Sequence, residues 1–155
     1  MRSRWWVRRS KSAVIEETGA AAVEFAMVAP LLLLLLFGIV KFGITLNNYL
    51  ELTDAVRAGS RQLAIGRASA TPWTDAKNAV FMAAPNLDQP TIVSGLTMTV
   101  NGSTCGTDAA CTALLTPTSG GLASKLRATY PCDLKVLLDL APGCTLTSQV
   151  TQRIE

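Results

Sequence analysis

The chain has 155 residues, 49% of them hydrophobic, and carries a formal net charge of +3 at pH 7. So small a charge gives little support to a nucleic-acid-binding function. The sequence contains no histidine, which removes the commonest general base, the commonest zinc ligand and the Ser-His and Cys-His catalytic pairs. It also has no Gly-rich phosphate loop and no paired-carboxylate pattern, so neither enzymatic activity nor a metal or other cofactor is expected.

A basic leader precedes an apolar segment. The leader holds five basic residues: Arg2, Arg4, Arg8, Arg9 and Lys11. The apolar segment, residues 20–40, would be about 31 Å long as a helix, enough to cross a bilayer core of about 30 Å. The positive-inside rule places the N-terminus in the cytoplasm and the chain after about residue 41 outside. The segment is long for a secretory signal and no small-x-small cleavage site follows closely, so it is predicted to remain as an anchor.

One acid, Glu24, lies near the cytoplasmic end of this segment. A charge inside a membrane span is costly, so the carboxylate must either reach the interface or find a partner. A cut between Gly19 and Ala20 would supply that partner, because Ala20 would then carry a free ammonium and Glu24 would be the fifth residue of the mature chain. In a helical assembly the carboxylate would pair with the ammonium of a neighbouring subunit and fix the register.

These residues resemble a known family. Gly19, "AAAV" and Glu24-Phe25, followed by an unbroken apolar helix, are similar to the processing site of type IV pilin-like proteins. The longer stretch "GAAAVEFAMVAPLLLLLLFGIVKFG" and the following "LTDAVRAGSRQLAIG" resemble the TadE-like pseudopilins of the tight-adherence (Tad/Flp) pilus system. The resemblance implies a prepilin peptidase that cuts after Gly19, with Glu24 and Phe25 serving assembly. Two departures from the family pattern are "EET" just before the glycine, where relatives usually carry basic residues, and Lys41, where an acid is frequent.

The resemblance also implies a function and a location. The protein would be a minor pseudopilin, a structural protein needed for assembly or secretion of Flp-type adhesive pili. Its partners would be the prepilin peptidase, other pseudopilins, the Flp pilin, the inner-membrane assembly platform and the lipid bilayer, without nucleic acid. It would cross the bacterial inner membrane once, with a cytoplasmic N-terminus and a periplasmic C-terminal domain. The alternative is a membrane-anchored binding or sensor domain, in which residues 70–155 recognise a ligand.

The helix is predicted to continue beyond the membrane, as one long helix from residue 20 to about residue 68. A seam at a spacing of three and four residues follows one of its faces: Tyr49, Leu52, Val56, Gly59 and Leu63. The seam is interpreted as packing onto the protein's own external domain, with contact to another pseudopilin as the alternative. Asp54 and Arg57 are expected to form an i,i+3 pair on the polar side.

A second helix is predicted over residues 72–84, after the break "ASATP". Thr71 is expected to cap it, with Pro72 at its first position and Pro85 ending it. One face carries an apolar stripe that is interpreted as core: Trp73, Ala76, Val80, Phe81 and Ala84.

From Thr91 the hydrophobic period changes to two, and strands of a small antiparallel sheet are predicted near residues 96–100, 126–130 and 146–154. "NGSTCGTDAACTALLTPTSGG" is interpreted as a loop, and "DLKVLLDLAPG" as either a strand or a short helix. The fold class is therefore α+β and pilin-like: a long N-terminal membrane-spanning helix that continues outside the membrane, a second short helix and a small antiparallel sheet. The predicted parts are a leader (1–19), a transmembrane helix (20–41), a helix extension (42–68) and an extracytoplasmic domain (69–155).

Four cysteines, Cys105, Cys111, Cys132 and Cys144, all follow residue 100. An even number in a part predicted to lie outside the cytoplasm indicates disulfides, for which three connectivities exist. The two local pairings are favoured because each closes a short loop at little entropic cost. A zinc site is the alternative, disfavoured because neither spacing fits a C-x₂₋₄-C ligand pair.

Overall fold

The computed structural model of the protein describes the backbone of residues 12–116, 121–132, 134 and 142–154, and side chains from residue 19 onward. Its elements are α1 (Ser12–Ile65), a 3-10 turn (Gly66–Ala68), α2 (Pro72–Ala83), α3 (Gln89–Ser94), β1 (Thr97–Val100), β2 (Ser103–Cys105), α4 (Asp108–Leu115), β3 (Ala123–Pro131) and β4 (Thr145–Arg153). The chain divides into two compact units, one ending at Ile39 and the other comprising Val40–Glu155. The basic leader residues and most of segment 133–143 lie outside the described residues.

The first unit contains the apolar part of α1. Leucine, alanine and methionine, which are strong helix formers, dominate this part of the sequence. Each leucine at positions 31–36 is at least 50% exposed. Within the described part of the chain, one helix is long and apolar enough to cross a membrane, judged by length and composition. A run of bare leucines of this length is unfavourable in water and favourable in lipid.

The second unit holds a four-stranded antiparallel sheet with the strand order β2-β1-β3-β4. Met98 of β1 lies opposite Leu126 of β3, and Leu126 lies opposite Val150 of β4. These side chains point to the same face of the sheet and pack on the helices, because side chains alternate along a strand. The fold is α+β and pilin-like, as the sequence predicted: a long apolar N-terminal helix, short helices and an antiparallel sheet packed on the long helix.

The core of this unit lies between the C-terminal part of α1, α2 and the sheet. Leu52, Val56 and Leu63 of α1 are fully buried together with Val80 of α2 and Leu126 of β3. The seam therefore packs onto the protein's own domain, which confirms the favoured interpretation. Tyr49 is the exception among its members, since 42% of it is exposed. The expected pair of Asp54 and Arg57 is also present, with Oδ1 and Nη1 3.3 Å apart at the surface.

Two glycines allow main-chain elements to approach closely. A Cβ on Gly59 of α1 would lie 2.5 Å from Val80 Cγ2 and 2.7 Å from Leu126 Cδ2. A Cβ on Gly95, which follows α3, would lie 2.2 Å from the carbonyl oxygen of Thr129 in β3. The Thr129 amide also donates to the Gly95 carbonyl oxygen at 3.1 Å, so α3 is fixed to this strand through the main chain.

The start of α2 differs from the sequence prediction. Thr71 does occupy the N-cap position and Pro72 follows it, but the Thr71 hydroxyl caps no amide of the helix. It donates instead to Asp75 Oδ1 at 3.2 Å. The free amide of Thr74 is satisfied by Asp108 of α4, whose Oδ1 accepts from it at 2.8 Å. The cap thus comes from a residue 34 positions away, which a local sequence pattern cannot show.

Three elements replace parts that the sequence predicted as strand or loop. Residues near Thr91 belong to α3 rather than to a strand, because Asp88 caps a short helical turn by accepting from the Thr91 amide at 3.0 Å. The expected loop after β1 contains β2 and α4. Asn101 and Gly102 both have positive φ angles, 49° and 82°, the conformation of a two-residue hairpin turn.

The cysteines form two disulfides. Cys105 at the end of β2 is bonded to Cys111 of α4, with Cα atoms 5.0 Å apart. Cys132 after β3 is bonded to Cys144 before β4, with Cα atoms 5.4 Å apart. These are the two local pairings, and no thiol of the four remains available as a zinc ligand. Disulfides of this kind indicate an extracytoplasmic domain.

Candidate processing and assembly site

Gly19, Ala20, Glu24 and Phe25 all lie on α1, in its first unit. Ala20 and Glu24 are four residues apart, so they are separated by about 6 Å along the helix axis and about 40° around it. The two residues therefore share one face of the helix. The bond between Gly19 and Ala20 is itself part of the helical backbone, because α1 begins at Ser12.

All four positions are exposed. Phe25 is 70% exposed, and Gly19, Ala20 and Glu24 are also classed as exposed. Apart from the adjacent residues and backbone of its own helix, no described heavy atom lies within 4 Å of the position that a Cβ on Gly19 would take. The surface around the Gly19–Ala20 bond is therefore open in the described part of the protein, with Glu24 available to a second molecule.

Glu24 combines a charge with apolar surroundings along the helix. Its neighbours on α1 include Val23, Phe25 and Met27, each more than half exposed. No described side chain or main-chain group pairs with its carboxylate. An ionised carboxylate in an apolar medium is stabilised by an opposite charge or by hydrogen-bond donors. An ammonium at Ala20 would lie on the same helical face, within reach of this carboxylate in the same chain or in a neighbour.

The helical state of the Gly19–Ala20 bond has a chemical consequence. Proteases bind their substrates in extended form, so a helical bond must unwind before it is cut. Glycine in a helix is about 1 kcal/mol less favourable than alanine, and its backbone adopts extended and unusual conformations freely. Gly19 thus lowers the cost of opening α1 at this position.

Comparison with known proteins identifies the segment that contains these residues. Residues 19–61 match the family model described as TadE-like protein. The chain therefore contains a TadE-like segment, which covers less than a third of its length. No curated protein matches the chain, and no solved structure matches it either. The match begins at Gly19 and ends within α1, so the TadE-like segment comprises most of the long helix, including the buried Leu52 and Val56.

The family gives the context of the protein. TadE-like proteins belong to the Tad pilus system and are generally structural proteins without enzymatic activity. Within the described ranges, no group of three or more Cys, Asp or Glu side chains is arranged to hold a metal ion.

The acids of the second unit hold its elements together. Hydrogen bonds from the Thr74 hydroxyl (2.7 Å) and the Thr74 amide lower the pKa of Asp108 below its ordinary value. Hydrogen bonds from the Thr91 hydroxyl and amide lower the pKa of Asp88 in the same way. Glu51 of α1 accepts from the Asn86 amide at 2.8 Å and so ties α1 to the loop after α2. The sequence analysis did not predict these contacts. The Asp88 N-cap could have been recognised, because an aspartate is a preferred residue at the start of a helix.

Proposed function

We propose that this TadE-like protein is a membrane-anchored minor pseudopilin, needed for assembly or secretion of Flp-type adhesive pili. In this proposal a prepilin peptidase removes the leader (1–19) by cutting between Gly19 and Ala20. Residues 20–41 then span the bacterial inner membrane, residues 42–68 extend the helix, and residues 69–155 form the periplasmic domain. The protein has no enzymatic activity of its own, and its partners are other pseudopilins, the Flp pilin and the inner-membrane assembly platform.

One observation carries the proposal: the TadE-like segment begins at Gly19, on an apolar helix whose Glu24 carboxylate has no partner among the described residues. The cut would make an ammonium four residues before this carboxylate, on the same face of α1. In lipid, an ion pair between neighbouring subunits would be favoured over two isolated charges and would fix the axial register of the subunits. The leader would lie in the cytoplasm, since its five basic residues obey the positive-inside rule.

The role of Glu24 is tested with two substitutions in the organism's own pilus-forming cells. Glu24→Gln keeps the size of the side chain but removes its charge, and we expect surface pili to fall by about tenfold or more, since a buried ion pair would lose one partner. Asp54→Asn is the matched control, because it removes an acid from an exposed pair on the same helix, and exposed pairs contribute little. The protein should remain in the membrane fraction in both cases. Normal piliation in the Glu24→Gln cells would show that the carboxylate has no role in assembly.

The role of Gly19 is tested with a second matched pair. Gly19→Val places a stiff, β-branched side chain at the proposed scissile bond, and we expect the uncut chain to accumulate. Gly38→Val makes the same change elsewhere on α1, where the Cβ also meets no described atom within 4 Å, and cleavage should be unchanged. Cleavage is measured from the electrophoretic mobility of the cut and uncut chains. If both variants are cut to the same extent, a processing site at Gly19 is contradicted.

A further inference from the structure

The outer face of the sheet carries cations and hydroxyl groups. It is the face opposite Met98, Leu126 and Ala128, which are buried against the helices. On β3 and β4 the outward positions include three basic residues, Lys125, Arg127 and Arg153. The rest of the outer face is largely threonine with one glutamine: Thr97, Thr99, Thr104, Thr129, Thr145, Thr147, Gln149 and Thr151. We call these residues the cationic sheet face.

The register of the strands places the three cations in a row with Lys125 in the middle. Lys125 and Arg127 are two residues apart on β3 and so about 7 Å apart along the strand. Thr151 lies opposite Lys125, and Arg153 follows two residues later on β4, which makes Arg153 a diagonal neighbour at about 7–8 Å. These two separations are shorter than the Debye length of about 8 Å or similar to it. Arg127 and Arg153 lie on opposite sides of Lys125 along the strands, about 14 Å apart. The three charges therefore form a row that contacts successive charges of an extended anion.

Acidic side chains are missing from this face in the described part of the chain. The described acids of the second unit are engaged elsewhere: Glu51 with Asn86, Asp54 with Arg57, Asp75 with Ser69, Asp88 with Thr91 and Asp108 with Thr74. The cations are thus not neutralised by the described residues. The guanidinium of Arg153 lies beside Gly121, where a Cβ would be 2.9 Å from Nη2.

We propose that the cationic sheet face binds an acidic polysaccharide, with the three cations contacting carboxylates and the threonine hydroxyls and the Gln149 amide contacting sugar hydroxyls. The face is formed by four antiparallel strands, and the row of cations along β3 and β4 suits an extended chain. The charge pattern is complementary to a polymer that repeats a carboxylate. A lipid bilayer is the less suitable occupant, because none of the large hydrophobic side chains that are exposed in the described residues lies on this face.

The proposal is independent of cleavage at Gly19 and is tested with the full chain in a neutral polyoxyethylene detergent. The probe is fluorescein-labelled polygalacturonate, with neutral dextran of similar length as the negative control. Lys125→Gln with Arg127→Gln should weaken polygalacturonate binding by roughly tenfold, since each ion contact at an exposed surface contributes up to a few-fold. Arg57→Gln with Arg61→Gln removes the same charge from exposed positions on α1 and should change the dissociation constant less than about twofold.

Arg153→Gln is a second, single-site variant and should weaken binding by a few-fold. Thermal unfolding of every variant should match the unmodified protein, because the substituted side chains lie outside the core. Three results would overturn the proposal: no saturable binding of polygalacturonate, equal loss in the two double variants, or equal binding of dextran. Tighter binding of phosphatidylglycerol in mixed micelles, lost in the Lys125/Arg127 variant, would assign the face to a membrane surface instead and would also overturn it.

Discussion

The close approach of α1 to α2 and β3 at Gly59 leads to a sharp prediction about stability. In Gly59→Ala the new methyl group would lie 2.5 Å from Val80 Cγ2 and 2.7 Å from Leu126 Cδ2. Carbon atoms in contact prefer about 3.5–4.0 Å, so the neighbours must move by about 1 Å. Val80 has little rotamer freedom because it is β-branched and lies in a helix. The Ala76 carbonyl oxygen, 3.1 Å from the new methyl, limits movement of the backbone of α2.

The magnitude follows from two opposing effects. Alanine stabilises the interior of a helix by about 1 kcal/mol relative to glycine. Overpacking a filled core costs about 1–3 kcal/mol, and two contacts this short favour the upper part of that range. The net effect is a destabilisation of about 1–2 kcal/mol. For the second unit, residues 40–155, that lowers the unfolding temperature by about 4–8 °C.

The assay is thermal unfolding of the full chain in detergent, followed by near-ultraviolet circular dichroism, which reports tertiary packing. Gly43→Ala is the matched control, because the same change on α1 meets no described atom within 4 Å and should not lower the unfolding temperature. Val80→Ala should partly relieve Gly59→Ala, so that the double variant is less destabilised than the sum of the single variants. An unfolding temperature of Gly59→Ala at or above that of the unmodified protein would refute the packing of α1 on α2 and β3.

Three further predictions use the same protein. Gly95→Ala should destabilise the domain by about 3 kcal/mol or more, because its Cβ would meet the Thr129 carbonyl oxygen at 2.2 Å. Gly106→Ala has open space around the new Cβ and should be near neutral. Equal unfolding temperatures of the two variants would contradict the contact between Gly95 and Thr129. The lowered pKa of Asp108 adds stability above about pH 4, and this stability is lost as the pH falls through the pKa of the folded protein. The difference in unfolding temperature between the unmodified protein and Asp108→Asn should therefore become smaller from pH 7 to pH 3. A constant difference would argue against the Thr74 contacts. Mild reduction followed by alkylation and mass spectrometry should label Cys132 and Cys144 before Cys105 and Cys111, because the latter pair is at most 1% exposed; the reverse order would contradict the burial of the Cys105–Cys111 bond.

The elements with strong periodic patterns could be predicted from the sequence. The long apolar helix, the seam at Leu52, Val56 and Leu63, and the helix over Pro72–Ala83 each repeat an apolar residue often enough to define a buried face. The alternation of Leu126 and Ala128 likewise defined β3. The spacing of apolar residues along the sequence shows which face of a helix or strand is buried, so these elements can be predicted from the sequence.

Short elements and long-range contacts could not be predicted in the same way. Helix α3 is short and buries one residue, Ile92, so no hydrophobic period can be seen in its sequence. Its N-cap residue, Asp88, is the better indicator of a helix start. The hairpin turn at Asn101-Gly102 has a recognisable dipeptide, but the threonines around it resemble a loop. The cap of α2 by Asp108 depends on tertiary structure, because it joins residues that are distant in the sequence.

The candidate site depended on spacing rather than on periodicity. Gly19 and Glu24 were predicted from their separation and from the apolar residues that follow, and the TadE-like match begins at the same glycine. In the proposed assembly the exposed Glu24 carboxylate meets a neighbouring subunit, whose sequence is separate from this one. The sequence also contains the pattern of the cationic sheet face. In "SKLRAT" and "TLTSQVTQR" every second residue points outward from the sheet, and the basic residues occupy these outward positions.

The intact mass of the chain, purified from the membranes of its own cells, tests the central claim most directly. A pseudopilin cut between Gly19 and Ala20 should have the mass of residues 20–155 with both disulfides formed, and should revert to the uncut mass when the prepilin peptidase is deleted. An N-terminus that remains at Met1 in cells with the peptidase, or one that lies within the external domain, would contradict the account.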